Sequence, residues 1–180
     1  MKLRNYVVFL VAFLVTSQAS ARNLEQLIDD WHVLTTEQEG NKVCYIAAVP
    51  TSKEGNYKKR SEPYLLVSKF TNREPEVSIS AGYRYKPGAP VKITISNNKF
   101  DLQKIKGEVA WAVNTELDNS LIAAMKAGNN LTAKGTSTVG SYSIDTYSLK
   151  GFTKAYGLMI DLCKAENIIK PETETTEAAQ

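Results

Sequence analysis

From Trp31 onward the apolar residues recur mostly at every second position, the spacing of a pleated strand with one buried face. Trp31-His32-Val33-Leu34 opens such a strand. Glu39-Gly40-Asn41 supplies turn chemistry, and residues 43–49 (VCYIAAV) read as a second, largely buried strand. Residues 50–63 are polar and read as a long loop. Tyr64-Leu65-Leu66-Val67 starts the next strand, after which Val77, Ile79 and Ala81 alternate with Glu76, Ser78 and Ser80. Lys86-Pro87-Gly88 is a turn. Val91, Ile93 and Ile95 then alternate with Lys92, Thr94 and Ser96. Asn97-Asn98 suits the positive φ values of a tight hairpin, and Phe100 and Leu102 carry the return strand. Residues 109–113, centred on Trp111, form a further strand, and 131–138 and 142–149 form two more on either side of Gly140. Seven to nine short strands at this spacing predict a mainly β chain, an antiparallel β-sandwich or barrel-like domain.

Two segments change to the helical period. Asp118 or Asn119 is placed to cap a short helix over 120–127, which Gly128 ends. A C-terminal helix over 152–165 sets Phe152, Ala155, Tyr156, Met159, Leu162 and Cys163 along one stripe. That stripe turns Cys163 toward the core, where it can meet Cys44 on a buried strand.

The start of the chain follows neither period. Lys2 and Arg4 precede a ten-residue apolar run at 6–15 (YVVFLVAFLV), and Ala19-Ser20-Ala21 is a small-x-small site. This pattern predicts a signal peptide over 1–21, cleaved after Ala21. A membrane-spanning helix needs about 20 apolar residues, twice this run, so no transmembrane segment is expected after cleavage. Residues 22–170 are expected to form a single domain. Residues 171–180 (PETETTEAAQ) hold no large apolar side chain and read as a disordered acidic tail.

Cleavage changes the charge. Lys2 and Arg4 are the only charges in the segment, so 20 of the 22 basic residues remain against 19 acidic ones, and +3 falls to +1. A nearly neutral domain has no electrostatic footprint for nucleic acid. Export also sets the chemistry of the two cysteines, because an oxidising compartment lets Cys44 and Cys163 pair. The competing reading is a catalytic thiol with His32 as its base.

The census of reactive groups is poor for an enzyme. A single histidine excludes a multi-His metal site, and no Cys/His spacing matches a zinc ligand set. No nucleophile elbow, phosphate loop or dinucleotide fingerprint occurs; 135–140 (GTSTVG) has strands on both sides and no lysine after it, which makes it a hairpin turn. No cofactor is expected. His32 reads as structural or merely exposed. Asp145, in a strand otherwise made of Ser, Tyr, Ile and Thr, is either a buried acceptor for hydroxyls and amides or a catalytic acid of a carboxylate pair. The stretch 53–60 (KEGNYKKR) is either a solvated loop or a contact for anionic glycans, lipid head groups or an acidic partner. Its candidate ligand-binding residues are Tyr57, Lys58, Lys59 and Arg60. Tyr83 and Tyr85 share one face, with Arg84 opposite, for core packing or for stacking on sugars.

The chain resembles the invasion-associated locus B family of exported bacterial proteins. Trp31, Cys44 leading to Pro50, Pro63-Tyr64, Glu76-Val77 and Gly82-Tyr83 begin the likeness. Phe100-x-Leu102 and Ala110-Trp111 follow, then Leu121-Ile122-x-Ala124-Met125-Lys126-x-Gly128. Asp145-Thr146-Tyr147-Ser148-Leu149-x-Gly151-Phe152-x-x-Ala155 and Cys163 complete it. Some members carry another cysteine just after the early tryptophan, where this chain has His32-Val33-Leu34. The resemblance implies an exported, mostly β domain of Gram-negative envelopes, linked in one pathogen to host-cell entry, with no activity or catalytic residues to carry over. The expected function is therefore a non-enzymatic periplasmic or envelope-associated binding protein whose partner is an envelope component or a host surface. Trp31, Gly82, Trp111, Gly128, Gly151 and Phe152 would shape core and turns. The alternatives are an envelope glycan or peptidoglycan hydrolase using Asp145, and a helper or inhibitor of another exported protein.

Overall fold

The computed structural model describes residues 25–38 and 41–164. The expected signal peptide, the tail at 171–180, both limits of the 22–170 domain and Glu39-Gly40 of the first turn lie outside the described residues. Among the described residues, twelve strands and two helices are formed in the order β1 (Glu25–Ile28), β2 (Trp31–Gln38), β3 (Asn41–Ala48), β4 (Ser52–Gly55), β5 (Tyr64–Phe70), β6 (Glu76–Ser80), β7 (Val91–Ile95), β8 (Asn98–Leu102), β9 (Lys104–Lys106), β10 (Val109–Trp111), α1 (Thr115–Ala127), β11 (Asn130–Thr136), β12 (Tyr142–Ser148) and α2 (Phe152–Lys164). They make a seven-stranded sheet, β1-β2-β3-β5-β6-β10-β9, and a five-stranded sheet, β4-β12-β11-β7-β8. Neighbouring strands pair antiparallel in both sheets. One continuous core draws on both sheets and both helices. The chain is mainly β and built from two antiparallel sheets, as the alternation of apolar positions predicts.

The C-terminal helix α2 buries Phe152, Ala155, Met159 and Cys163. It packs on β2 and β3. Phe152 meets the fully buried Trp31 edge to face, with ring centroids 5.0 Å apart. Cys44 on β3 and Cys163 on α2 form a disulfide, Cα to Cα 5.7 Å, across 119 residues of sequence. The bond fastens the helix to the sheet, which decides against a free catalytic thiol.

Several details differ from the sequence expectation. Three strands were not anticipated: β1, β4 inside the stretch read as a loop, and β9. Their residues show little alternation because they are short and largely exposed. Helix α1 begins at Thr115 rather than Ser120. Asn114 caps it, its Oδ1 accepting from the Leu117 N–H at 3.0 Å. Asp118, one of the two expected caps, lies within α1 and is buried, accepting the Val77 N–H at 2.8 Å. The β7–β8 turn is Ser96-Asn97, since Ile95 already pairs with Asn98; Ser96 takes the positive φ of 51°. Trp111 is half-buried, and its neighbour Ala110 fills the core position.

Candidate ligand-binding groove

Strand β12 alternates strictly, and its inward residues are Ser143, Asp145 and Tyr147, at most 2% exposed. A carboxylate on that face must be paired. The partner is Arg60 from the connection between β4 and β5. Its Nη1 donates to Asp145 Oδ2 at 2.7 Å, and its Nη2 donates to Asp145 Oδ1. The two side chains are 4% and 2% exposed. The guanidinium also donates to the Ala81 carbonyl at 3.0 Å and to the Tyr57 hydroxyl at 3.1 Å, and it lies 4.1 Å from the Tyr57 ring centre. Burial alone would lower the pKa of Arg60; the bonds to Asp145 outweigh it and push it up, so the guanidinium stays charged.

On the other side, Ser143 Oγ donates to Asp145 Oδ2 at 3.3 Å and lies 2.8 Å from the Tyr83 hydroxyl. Tyr83, Ser143, Asp145, Arg60 and Tyr57 thus form one polar chain through the end of the sandwich. It joins the five-stranded sheet, through Asp145, to Ala81 just beyond β6 of the seven-stranded sheet. Burial raises the pKa of the Tyr83 and Tyr85 phenols, which keeps them neutral. Tyr85 fills a space that exists because residue 135 is glycine; a Cβ there would stand 2.6 Å from a Tyr85 ring carbon. Tyr83 and Tyr85 do share a face and pack edge to face at 5.6 Å.

Hydrogen bonds fix the loop that carries Arg60 at both ends. Asn56 Oδ1 accepts the Tyr142 N–H at 2.7 Å, and the Ser61 N–H donates to the Gly82 carbonyl at 2.9 Å. Gly82 has φ of 73°, and a side chain there would collide with the Ser61 carbonyl, 2.0 Å from its Cβ. Between these anchors the loop faces the β11–β12 hairpin across a groove of about 420 Å³, lined by Tyr57, Lys58, Lys59, Tyr83, Ser137 and Val139 among others. Lys58 and Lys59 are exposed, and Val139 at the hairpin tip is 85% exposed. Ser137 is buried, and its hydroxyl has no hydrogen-bond partner among the described residues.

Of the four residues singled out from the sequence, Tyr57, Lys58 and Lys59 line this groove. Arg60 does not stand with them as a surface cation. Its side chain turns inward because Asp145 would otherwise be a buried charge without a counter-ion. Asp145 is accordingly the buried acceptor of the two readings, and the group that claims it is a guanidinium as well as a hydroxyl. His32 is exposed on β2, its Nδ1 3.2 Å from Glu25 Oε1. Among the described residues no three His, Cys, Asp or Glu side chains converge on a metal position, and no helix is long and apolar enough to cross a membrane.

The family model for the invasion associated locus B (IalB) protein matches residues 31–159. The chain belongs to this family. Its fold is similar to that of invasion associated protein B from Bartonella henselae, with 21% identity, 78% of this chain and 97% of the other covered, and a TM-score of 0.57. No curated protein matches the chain significantly.

Proposed function

We propose that this member of the invasion associated locus B family is an exported binding protein of the bacterial envelope, and that it contacts its partner through the groove between the Asn56-to-Lys59 loop and the β11–β12 hairpin. The partner is an envelope component or a host surface. The observation that carries this reading is the groove wall itself, where exposed Lys58, Lys59 and Val139 stand together with Tyr57. A ligand that pairs with the two ammonium groups and covers Val139 would meet both features at once. The name of the Bartonella relative associates that protein with invasion. The disulfide fits an oxidising compartment.

A hydrolase would need a carboxylate that reaches its substrate. Asp145 is 2% exposed with both oxygens engaged by Arg60, so the binding reading is preferred. The test compares wild type with Lys58→Ala/Lys59→Ala for binding to envelope fractions and to intact host cells. Both lysines are exposed, so the melting temperature should stay within about 2 °C while binding weakens about tenfold or more. Unchanged binding by the double variant would remove the groove from consideration. Protease shaving of intact cells then separates the partners. Digestion of the protein before the outer membrane is opened supports a host-facing role, and protection until then supports an envelope partner.

A further inference from the structure

The outer face of the five-stranded sheet carries a second cavity, of about 570 Å³, lined by Lys92, Thr94, Lys99, Thr132, Lys134 and Ile144 among others. It shares no lining residue with the groove described above. The register explains its composition. Lys92 on β7 stands directly opposite Lys134 on β11, Thr94 opposite Thr132, and on the other side Thr94 opposite Lys99. These residues share the face that alternation turns away from Ile93, Ala133 and the core. Lys92, Lys99 and Lys134 are exposed, and among the described residues none has an ion-pair partner; the Lys134 ammonium lies 5.4 Å from the Tyr142 ring centre. Like charges directly opposite on neighbouring strands destabilise a sheet. Asp101, opposite Lys92, is the one acidic residue among the described residues that line the cavity.

We infer that this face binds a phosphorylated saccharide. Three ammonium groups around one cavity match a dianionic phosphate, which would relieve the repulsion between Lys92 and Lys134. The hydroxyls of Thr94 and Thr132 can meet sugar hydroxyls, and half-buried Ile144 offers an apolar wall for the carbon face of a ring. The cavity volume is that of a small-molecule site rather than of a macromolecular interface.

The experiment is a ¹H–¹⁵N NMR titration of the protein with glucose 1-phosphate, run beside glucose, inorganic phosphate and anionic phosphatidic acid vesicles. Saturable shifts on β7, β8 and β11 from glucose 1-phosphate, at lower concentration than from phosphate and absent with glucose, are expected. Lys92→Gln and Lys134→Gln should each weaken this binding about tenfold, the loss expected for one charge-assisted hydrogen bond, and neither should lower the melting temperature, since each removes one member of a repelling pair. No shift on these strands, or equal affinity for phosphate and glucose 1-phosphate, overturns the inference. Vesicle binding without glucose 1-phosphate binding overturns it too, in favour of adsorption to an anionic bilayer. A merely structural role for these lysines would instead appear as a fall in melting temperature with binding unchanged.

Discussion

The pair formed by Arg60 and Asp145 shows how little of a residue's role its neighbours in sequence reveal. Asp145 was legible. A carboxylate on the inward face of an alternating strand has no water to solvate it and must find a partner. Arg60 was not, because in KEGNYKKR its charge looks like those of Lys58 and Lys59. What separates them is that the loop, held at Asn56 and Ser61, presents residue 60 to the interior and residues 58 and 59 to solvent. Asp145→Asn should cost about 3–5 kcal/mol, since it leaves a buried guanidinium without its counter-charge. Urea denaturation measures it. Adding Arg60→Met to that variant should restore more than half of the loss, because an apolar side chain of similar length tolerates the site. An unchanged urea midpoint for Asp145→Asn would mean the pair holds nothing together.

Among the elements, legibility followed burial. Helix α2 was readable from its stripe because every fourth or third residue packs on β2 and β3, and β7, β11 and β12 were readable because one face of each enters the core. Strand β4 has four exposed residues, so no contrast between faces marks it; its pairing with β12 places it in the sheet. The start of α1 was misplaced for a related reason. Asp118 looks like a cap, but its side chain reaches across to the β6 backbone instead. Burial raises its pKa above the ordinary carboxylate value. The native state therefore holds this proton more tightly than the unfolded chain does. The group's contribution to stability is greatest below the unfolded pKa and is lost as pH rises through the raised one. Asp118→Asn keeps an oxygen to accept the Val77 N–H and removes the titration. Its stability relative to wild type should increase from about pH 4 to pH 7, as urea denaturation at the two pH values would show. An equal difference at both would refute the assignment.

Across the whole molecule, the two sheets are held together by a shared apolar core and by the Tyr83-to-Tyr57 polar chain at one end, while the disulfide ties α2 to β3 of the seven-stranded sheet. The two-sheet architecture was legible because apolar alternation persists wherever a strand has a buried face. The cavities were not, because they arise from which strands become neighbours, and Lys92 and Lys134 are 42 positions apart yet adjacent in the sheet. Cross-linking residues 119 apart should stabilise the fold by about 4–5 kcal/mol through the unfolded state. Cys163→Ser, or reduction of wild type, should lower the melting temperature accordingly, and an unaltered transition would show that α2 docks without the bond. The same separation also has a consequence for biogenesis. A chain delivered N-terminus first presents Cys44 alone while more than a hundred residues have still to follow, so its thiol stays open to stray partners for most of that passage. A molecule cut short between Cys44 and Cys163 keeps one reactive sulfur. The intramolecular bond therefore marks a chain that extends at least to Cys163, and a single thiol that accepts an alkylating label marks one that stops short of it.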